Sequence, residues 1–337
     1  MIQRNEVNLH KNWQKELANV VTCPERLLEM LGLSSKVDEK DLKARSLFPV
    51  RVPLPFIKKM RYGDINDPLL LQVMPRHQEF LAQTGYDKDP LKEQDNNQPG
   101  LLHKYRSRVL VMFKTGCAVN CRYCFRRHFP YQENQLNKRS LIDALAYIKA
   151  DKNINEVILS GGDPLMAKDD AVNWFMDELE QLPQIKRLRI HSRLPVVIPA
   201  RITDELCARF ASSPLKVVLV NHINHANEID ADFKAAMQKL KAANVTLLNQ
   251  AVLLKDVNDS SHAQIALSEA LFEADILPYY LHLLDKVEGA SHFDITEQRA
   301  REIVAHMLEA LPGFLVPKLV REIGGEKSKT PIDLNLV

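Results

Sequence analysis

From residue 108 onward the chain alternates short, β-branched apolar runs with amphipathic stretches, and this alternation constrains the fold more than any other feature. The runs at 108–114, 156–159, 187–191, 216–220, 245–248 and 276–281 predict strands. The stretches between them, near 139–150, 168–181, 203–211, 229–243, 261–273 and 296–310, predict helices; residues 234–241 (KAAMQKLK) show the spacing well. Strands that alternate with helices predict a parallel sheet with right-handed crossovers. Six such units are too few for a closed eight-fold barrel. The expected fold is α/β, a partial (β/α)6 barrel whose ligands gather at the C-terminal ends of the strands.

Residues 1–100 read as a helical and irregular N-terminal extension, 101–312 as the barrel and 313–337 as a short C-terminal segment. Pro24 opens a predicted helix through Met30. The polar, turn-rich tract 86–100 predicts a surface loop, and no fixed internal repeat is visible. A net charge of +2 gives no bulk signal for a nucleic-acid partner. The first seventeen residues contain no apolar signal region, and no run approaches the roughly 18 apolar residues that span a bilayer. A soluble, cytoplasmic protein without a membrane partner is expected.

Five cysteines in 337 residues do not make a disulfide framework, and three of them lie in one loop. Cys117, Cys121 and Cys124 are spaced Cys-x3-Cys-x2-Cys directly after the first predicted barrel strand. Three thiolates can ligate three irons of a four-iron cubane and leave the fourth iron open. The other reading is zinc, with His128 as a fourth ligand, although zinc sites usually pair Cys-x2-Cys motifs at a distance. Ser160-Gly161-Gly162-Asp163-Pro164 follows the second predicted strand. Its glycines would let backbone approach a ligand, or would simply turn the chain into the next helix. Cys23 and Cys207 read as plain thiols.

The cysteine loop and the glycine segment resemble the radical S-adenosylmethionine superfamily. Further stretches resemble the lysine 2,3-aminomutases within it: His103–Arg108, Cys124–Arg127, Asn221–Glu228, Asn249–Asp259 and Pro278–Tyr280. The resemblance implies a [4Fe-4S] cluster on the three cysteines, S-adenosyl-L-methionine near Gly161, Gly162, Asp163 and His222, and pyridoxal 5'-phosphate as a second cofactor. It implies Tyr105 and Arg108 at the phosphate, with Lys104 where an arginine is common, and Gln250 near the pyridoxal ring. The segment Gly324–Pro331 resembles the loop that carries the cofactor lysine and points to Lys329. Glu326, Lys327 and Ser328 replace usual glycines there, so Lys327 competes for the role.

By the same resemblance Arg126 would clamp the substrate carboxylate, and Asp285 with Glu322 would hold a distal ammonium. The chemistry suits each role: guanidinium matches carboxylate in a fork, and a buried ammonium needs carboxylate partners. His282 stands where tyrosine is usual, Val287 where serine is, and Glu322 where the shorter Asp is common. The implied activity is an isomerase that converts L-lysine to (R)-β-lysine. The chain stops eight residues after Lys329, like the short branch of the family that serves elongation factor P together with the ligase EpmA. An electron donor such as flavodoxin or ferredoxin is implied too. The rival expectations are a 2,3-aminomutase for another amino acid and a non-catalytic iron–sulfur or zinc protein.

Overall fold

A computed structural model describes residues 12–36, 38–94, 100–130 and 137–335. Nine strands form one sheet in sequence order: β1 (Leu101–Tyr105), β2 (Arg108–Lys114), β3 (Glu156–Gly161), β4 (Arg187–Ser192), β5 (Lys216–His222), β6 (Thr246–Val252), β7 (Leu277–His282), β8 (Lys318–Arg321) and β9 (Thr330–Pro331). Strands β2 to β8 pair in parallel, while β1 and β9 close the two edges antiparallel. The six expected strands are β2 to β7. The seventh parallel strand, β8, lies in the tract read as a C-terminal segment, where KLVR is too short to show a period.

The extension carries α1 (Trp13–Ala18), α2 (Pro24–Met30), α3 (Glu39–Lys43), α4 (Leu54–Ile57) and α5 (Pro68–Leu71). Between the parallel strands run α6 (Lys138–Ala150), α7 (Asp169–Glu180), α8 (Leu194–Val197), α9 (Asp204–Ser212), α10 (Ala231–Ala242), α11 (Ser261–Glu273) and α12 (Glu297–Ala310). Local chemistry starts these helices: the side chains of Asn137, Thr203, Asp230, Ser260 and Thr296 each accept from a first-turn N–H. Each then buries one stripe. In α10 it is Phe233, Ala236, Met237 and Leu240, spaced to lie on one face against the sheet. One apolar core contains Leu27, Phe56 and Leu70 of the extension together with Leu159, Leu188 and Leu219 of the strands. No described helix is long and apolar enough to cross a membrane.

Side chains from neighbouring strands converge on one cavity: Leu110, Ile158, His191, His222, Gln250 and His282 from β2 to β7. A flat sheet could not bring six adjacent strands to one space, so the sheet curls into a partial barrel. Strands β3, β5 and β6 run past their expected ends, to Gly161, His222 and Val252. Expectation stopped where polarity began, but Asn221 and Asn249 are buried, and His222 and Gln250 face the barrel interior. The tract 86–100 also departs from a plain surface loop. Leu91 is buried and Glu93 reaches the cavity, while 95–99 lie outside the described residues.

Candidate active site

The barrel cavity has a volume of about 310 Å3. Its wall includes fourteen of the residues singled out from the sequence: Tyr105, Arg108, Cys117, Cys121, Cys124, Arg126, Gly161, Gly162, Asp163, His222, Gln250, Asp285, Glu322 and Lys329. Lys327 is exposed and is not part of that wall. Lys104 stands behind it, 3.2 Å from Glu322.

At one end, the cysteine loop leaves β2 and is stapled to the glycine segment. Gly162 N–H donates to the Lys114 carbonyl at 2.7 Å, and Asp163 N–H to the Gly116 carbonyl at 2.9 Å. That approach requires glycine. A Cβ on Gly162 would lie 2.6 Å from the Gly116 oxygen, and Gly161 has φ +115° with the Lys114 oxygen 2.4 Å from a Cβ position. The Asp163 carboxylate accepts from the Ser192 hydroxyl and from the N–H groups of Leu165, Arg193 and Leu194. It therefore braces two strand ends.

Burial, with the nearby charges of Asp163 and of the other two cysteines, pushes the Cys117 thiol well up, and burial with Cys121 raises Cys124 to about 11. Thiols so placed shed their protons only for a cationic centre, as a cluster would be. Among the described residues no three Cys, His, Asp or Glu side chains converge tightly enough for a single ion, and His128 Nε2 lies 3.1 Å from the Glu288 carbonyl.

Four residues that frame the loop were not foreseen. Arg193 donates to Cys121 Sγ at 2.8 Å and to buried Glu228 at 2.9 Å. Beneath the loop, Arg122 and Arg127 both pair with fully buried Glu79. The two arginines could have been suspected from their places beside Cys121 and Cys124. Nothing in the local sequence marks Glu79 as their partner, or Arg193 as the partner of Cys121.

Across the cavity, Arg108 stacks on Tyr105 at 3.6 Å and has no carboxylate partner among the described residues. The Tyr279 and Tyr280 hydroxyls lie 3.2 Å apart, and Gln250 Nε2 lies 3.0 Å from His222 Nε2. Burial lowers His222 and His282 to about 3, so both imidazoles are neutral. Gln250 Oε1, His191 Nε2 and His282 Nε2 are buried with no hydrogen-bond partner among the described residues. An unneutralised guanidinium, an aromatic floor and orphaned polar atoms fit a planar, phosphate-bearing group.

Charges of opposite sign line the remaining space. Arg126 lies beside the cysteines, its Nη1 donating to Ser160 Oγ and the Gly161 carbonyl at 3.2 Å, and its Nε and Nη2 to Glu93 at 2.7 and 3.1 Å. Asp285 and Glu322 join the wall after β7 and β8. Burial and the like charge of Glu322 raise Asp285 to about 7. Burial also acts to raise Glu322, but the ammonium of Lys329, its hydrogen bond and Lys104 bring it down to about 2.

Residues 111–267 match the Radical SAM superfamily. The L-lysine 2,3-aminomutase of Escherichia coli (strain K12) is 56% identical to the chain over 97% of its length and 96% of that protein. The enzyme of the same name from Haemophilus influenzae is 55% identical, over 97% of each, and that of Buchnera aphidicola is 47% identical over 98% and 97%. Likeness of this extent, spanning the extension, the barrel and the segment with Lys329, means that the chain belongs to the L-lysine 2,3-aminomutase family of radical SAM enzymes.

Proposed function

We propose that the chain is an L-lysine 2,3-aminomutase that moves the α-amino group of L-lysine to Cβ and yields (R)-β-lysine. One observation carries the reading: a single cavity is lined by a guanidinium beside three clustered thiols, by a carboxylate pair and by a lysine. Free lysine has the matching charges, a carboxylate at one end and an ammonium at the other. Glutamate would bring its distal carboxylate against Asp285 and Glu322.

Cys117, Cys121 and Cys124 would hold the [4Fe-4S] cluster, and the Gly161-Gly162-Asp163 backbone with His222 would flank S-adenosyl-L-methionine. Tyr105, Arg108 and Lys104 would bind the phosphate of pyridoxal 5'-phosphate, Gln250 would face its ring, and Lys329 would hold it covalently. When bound, these groups supply hydrogen-atom abstraction and a conjugated system for the migrating nitrogen. The chain itself positions and shields. Arg126 fixes the substrate carboxylate beside the cluster, Asp285 and Glu322 fix the ammonium, and the buried neutral imidazoles of His222 and His282 add no cation to repel it. The glycine staple and the Glu79 ion pairs keep the thiols in place.

The product would serve the modification of elongation factor P by the ligase EpmA in the cytoplasm, with flavodoxin or ferredoxin as electron donor. The full-length match to short relatives supports this assignment. Anaerobic reconstitution with lysine, S-adenosyl-L-methionine and a reductant should give β-lysine. A fully loaded enzyme that makes none overturns the aminomutase reading. Zinc in place of iron and sulfide, with no pyridoxal phosphate bound, would favour a non-catalytic metal protein.

A further inference from the structure

Glu322 holds both of the lysines that the aminomutase reading assigns to pyridoxal phosphate. Lys329 Nζ donates to its Oε2, and Lys104 Nζ to its Oε1 at 3.2 Å. All three side chains are largely buried, 16% exposed for Glu322 and at most 26% for the lysines, so the charges are weakly screened. Both lysines also border the expected cofactor position. Lys104 Nζ is 5.9 Å from the ring of Tyr105, on which Arg108 stacks, and Lys329 Nζ is 5.7 Å from the ring of Tyr280.

In this arrangement the Asp285–Glu322 pair is a poor site for an ammonium. Two cations share one carboxylate, and Asp285, raised to about 7, is only partly ionised at neutral pH. A third cation would meet net repulsion. The balance reverses once the cofactor takes its lysines, because a lysine that holds pyridoxal phosphate covalently is not an ammonium seated on Glu322, and Lys104 is drawn to the phosphate.

We propose that Glu322 is a handover seat: it holds Lys329 and Lys104 until the cofactor draws them away, and only then accepts the distal ammonium of the substrate. Cofactor loading thereby creates the lysine site and imposes an order, cofactor before substrate. The inference rests on the aminomutase reading and adds a step that the reading does not require.

The test is calorimetric titration of full-length enzyme, stripped of pyridoxal phosphate, with L-lysine and with L-norleucine, which has the same backbone and no distal amine. In the Lys104→Met, Lys329→Met double variant, lysine should bind at least tenfold more tightly than in wild type, with norleucine unchanged. Adding Glu322→Gln should abolish the gain. Equal or weaker lysine binding in the double variant overturns the proposal, as does undetectable binding to both stripped forms when the loaded wild type makes β-lysine. A loaded wild type that makes no β-lysine removes the underlying reading instead. Should circular dichroism show the double variant unfolded, Lys329→Met alone takes its place, with a smaller gain in the same direction expected.

Discussion

Asp285 and Glu322 bear the same charge in one cavity, yet their surroundings drive them apart, to about 7 and about 2. The amine of a lysine substrate stays protonated to about pH 10.4. Only the ionised Asp285 can pair with it, so kcat/KM for lysine should rise with pH as Asp285 ionises, at about 7 with Lys329 as an ammonium beside it and higher once Lys329 holds the cofactor, and level off above. Because kcat/KM reports the free enzyme, the step belongs to the empty clamp. Asp285→Asn should remove the step and lower kcat/KM by about a hundredfold or more, as loss of one member of a buried ion pair does. A flat wild-type profile between pH 6 and 8 would contradict the assignment. Asp285, Arg126 and Lys329 were singled out by resemblance to a family, and all three line the cavity. Glu93 was not singled out. It lies in a tract of turn formers and looks like any solvated acid, and only the folded loop brings it onto Arg126. Which acid meets which base is a tertiary fact that no local window contains.

At the scale of elements, the six βα units were visible because their helices bury one stripe and their strands carry β-branched runs. What escaped was the polar ends of the strands. Asn221, His222, Asn249 and Gln250 break an apolar run, and so look like the start of a loop, yet they extend β5 and β6 into the interior where a ligand would meet them. The short strand β8 escaped for want of length, although it delivers Glu322 to the cavity. The junction between β2 and β3 depends on glycine. Gly162→Ala places a methyl against the Gly116 carbonyl and must part the cysteine loop from the glycine segment. Iron and sulfide per chain should fall after identical reconstitution, and stability should drop by about 1–3 kcal/mol, the usual scale of such local strain. An alanine variant that keeps full iron content and wild-type melting would show that the staple is dispensable.

At the scale of the whole molecule, the extension does more than cover the barrel. Its Glu79 is buried beneath the cysteine loop and pairs with both Arg122 and Arg127, which lie next to the last two cysteines in that loop. Burial pulls Arg122 below its ordinary range, opposed by the charge of Glu79. Both arginines also donate to backbone carbonyls, Arg122 to Phe48 and Arg127 to Arg122 and Gly289, so the network joins extension, loop and barrel rim. Glu79→Gln keeps the shape and removes the one charge that two guanidiniums share. An uncompensated buried charge costs about 3–5 kcal/mol. The exposed pair of Glu25 with Arg45 offers an internal control, because Glu25→Gln should cost about 1 kcal/mol at most. Denaturant unfolding of the two variants, compared at matched slopes, reads this difference directly. If Glu79→Gln unfolds at the same midpoint as Glu25→Gln, the buried network contributes nothing to holding the extension on the barrel. If it unfolds earlier and also loses iron, the extension is part of what keeps the three thiols in register.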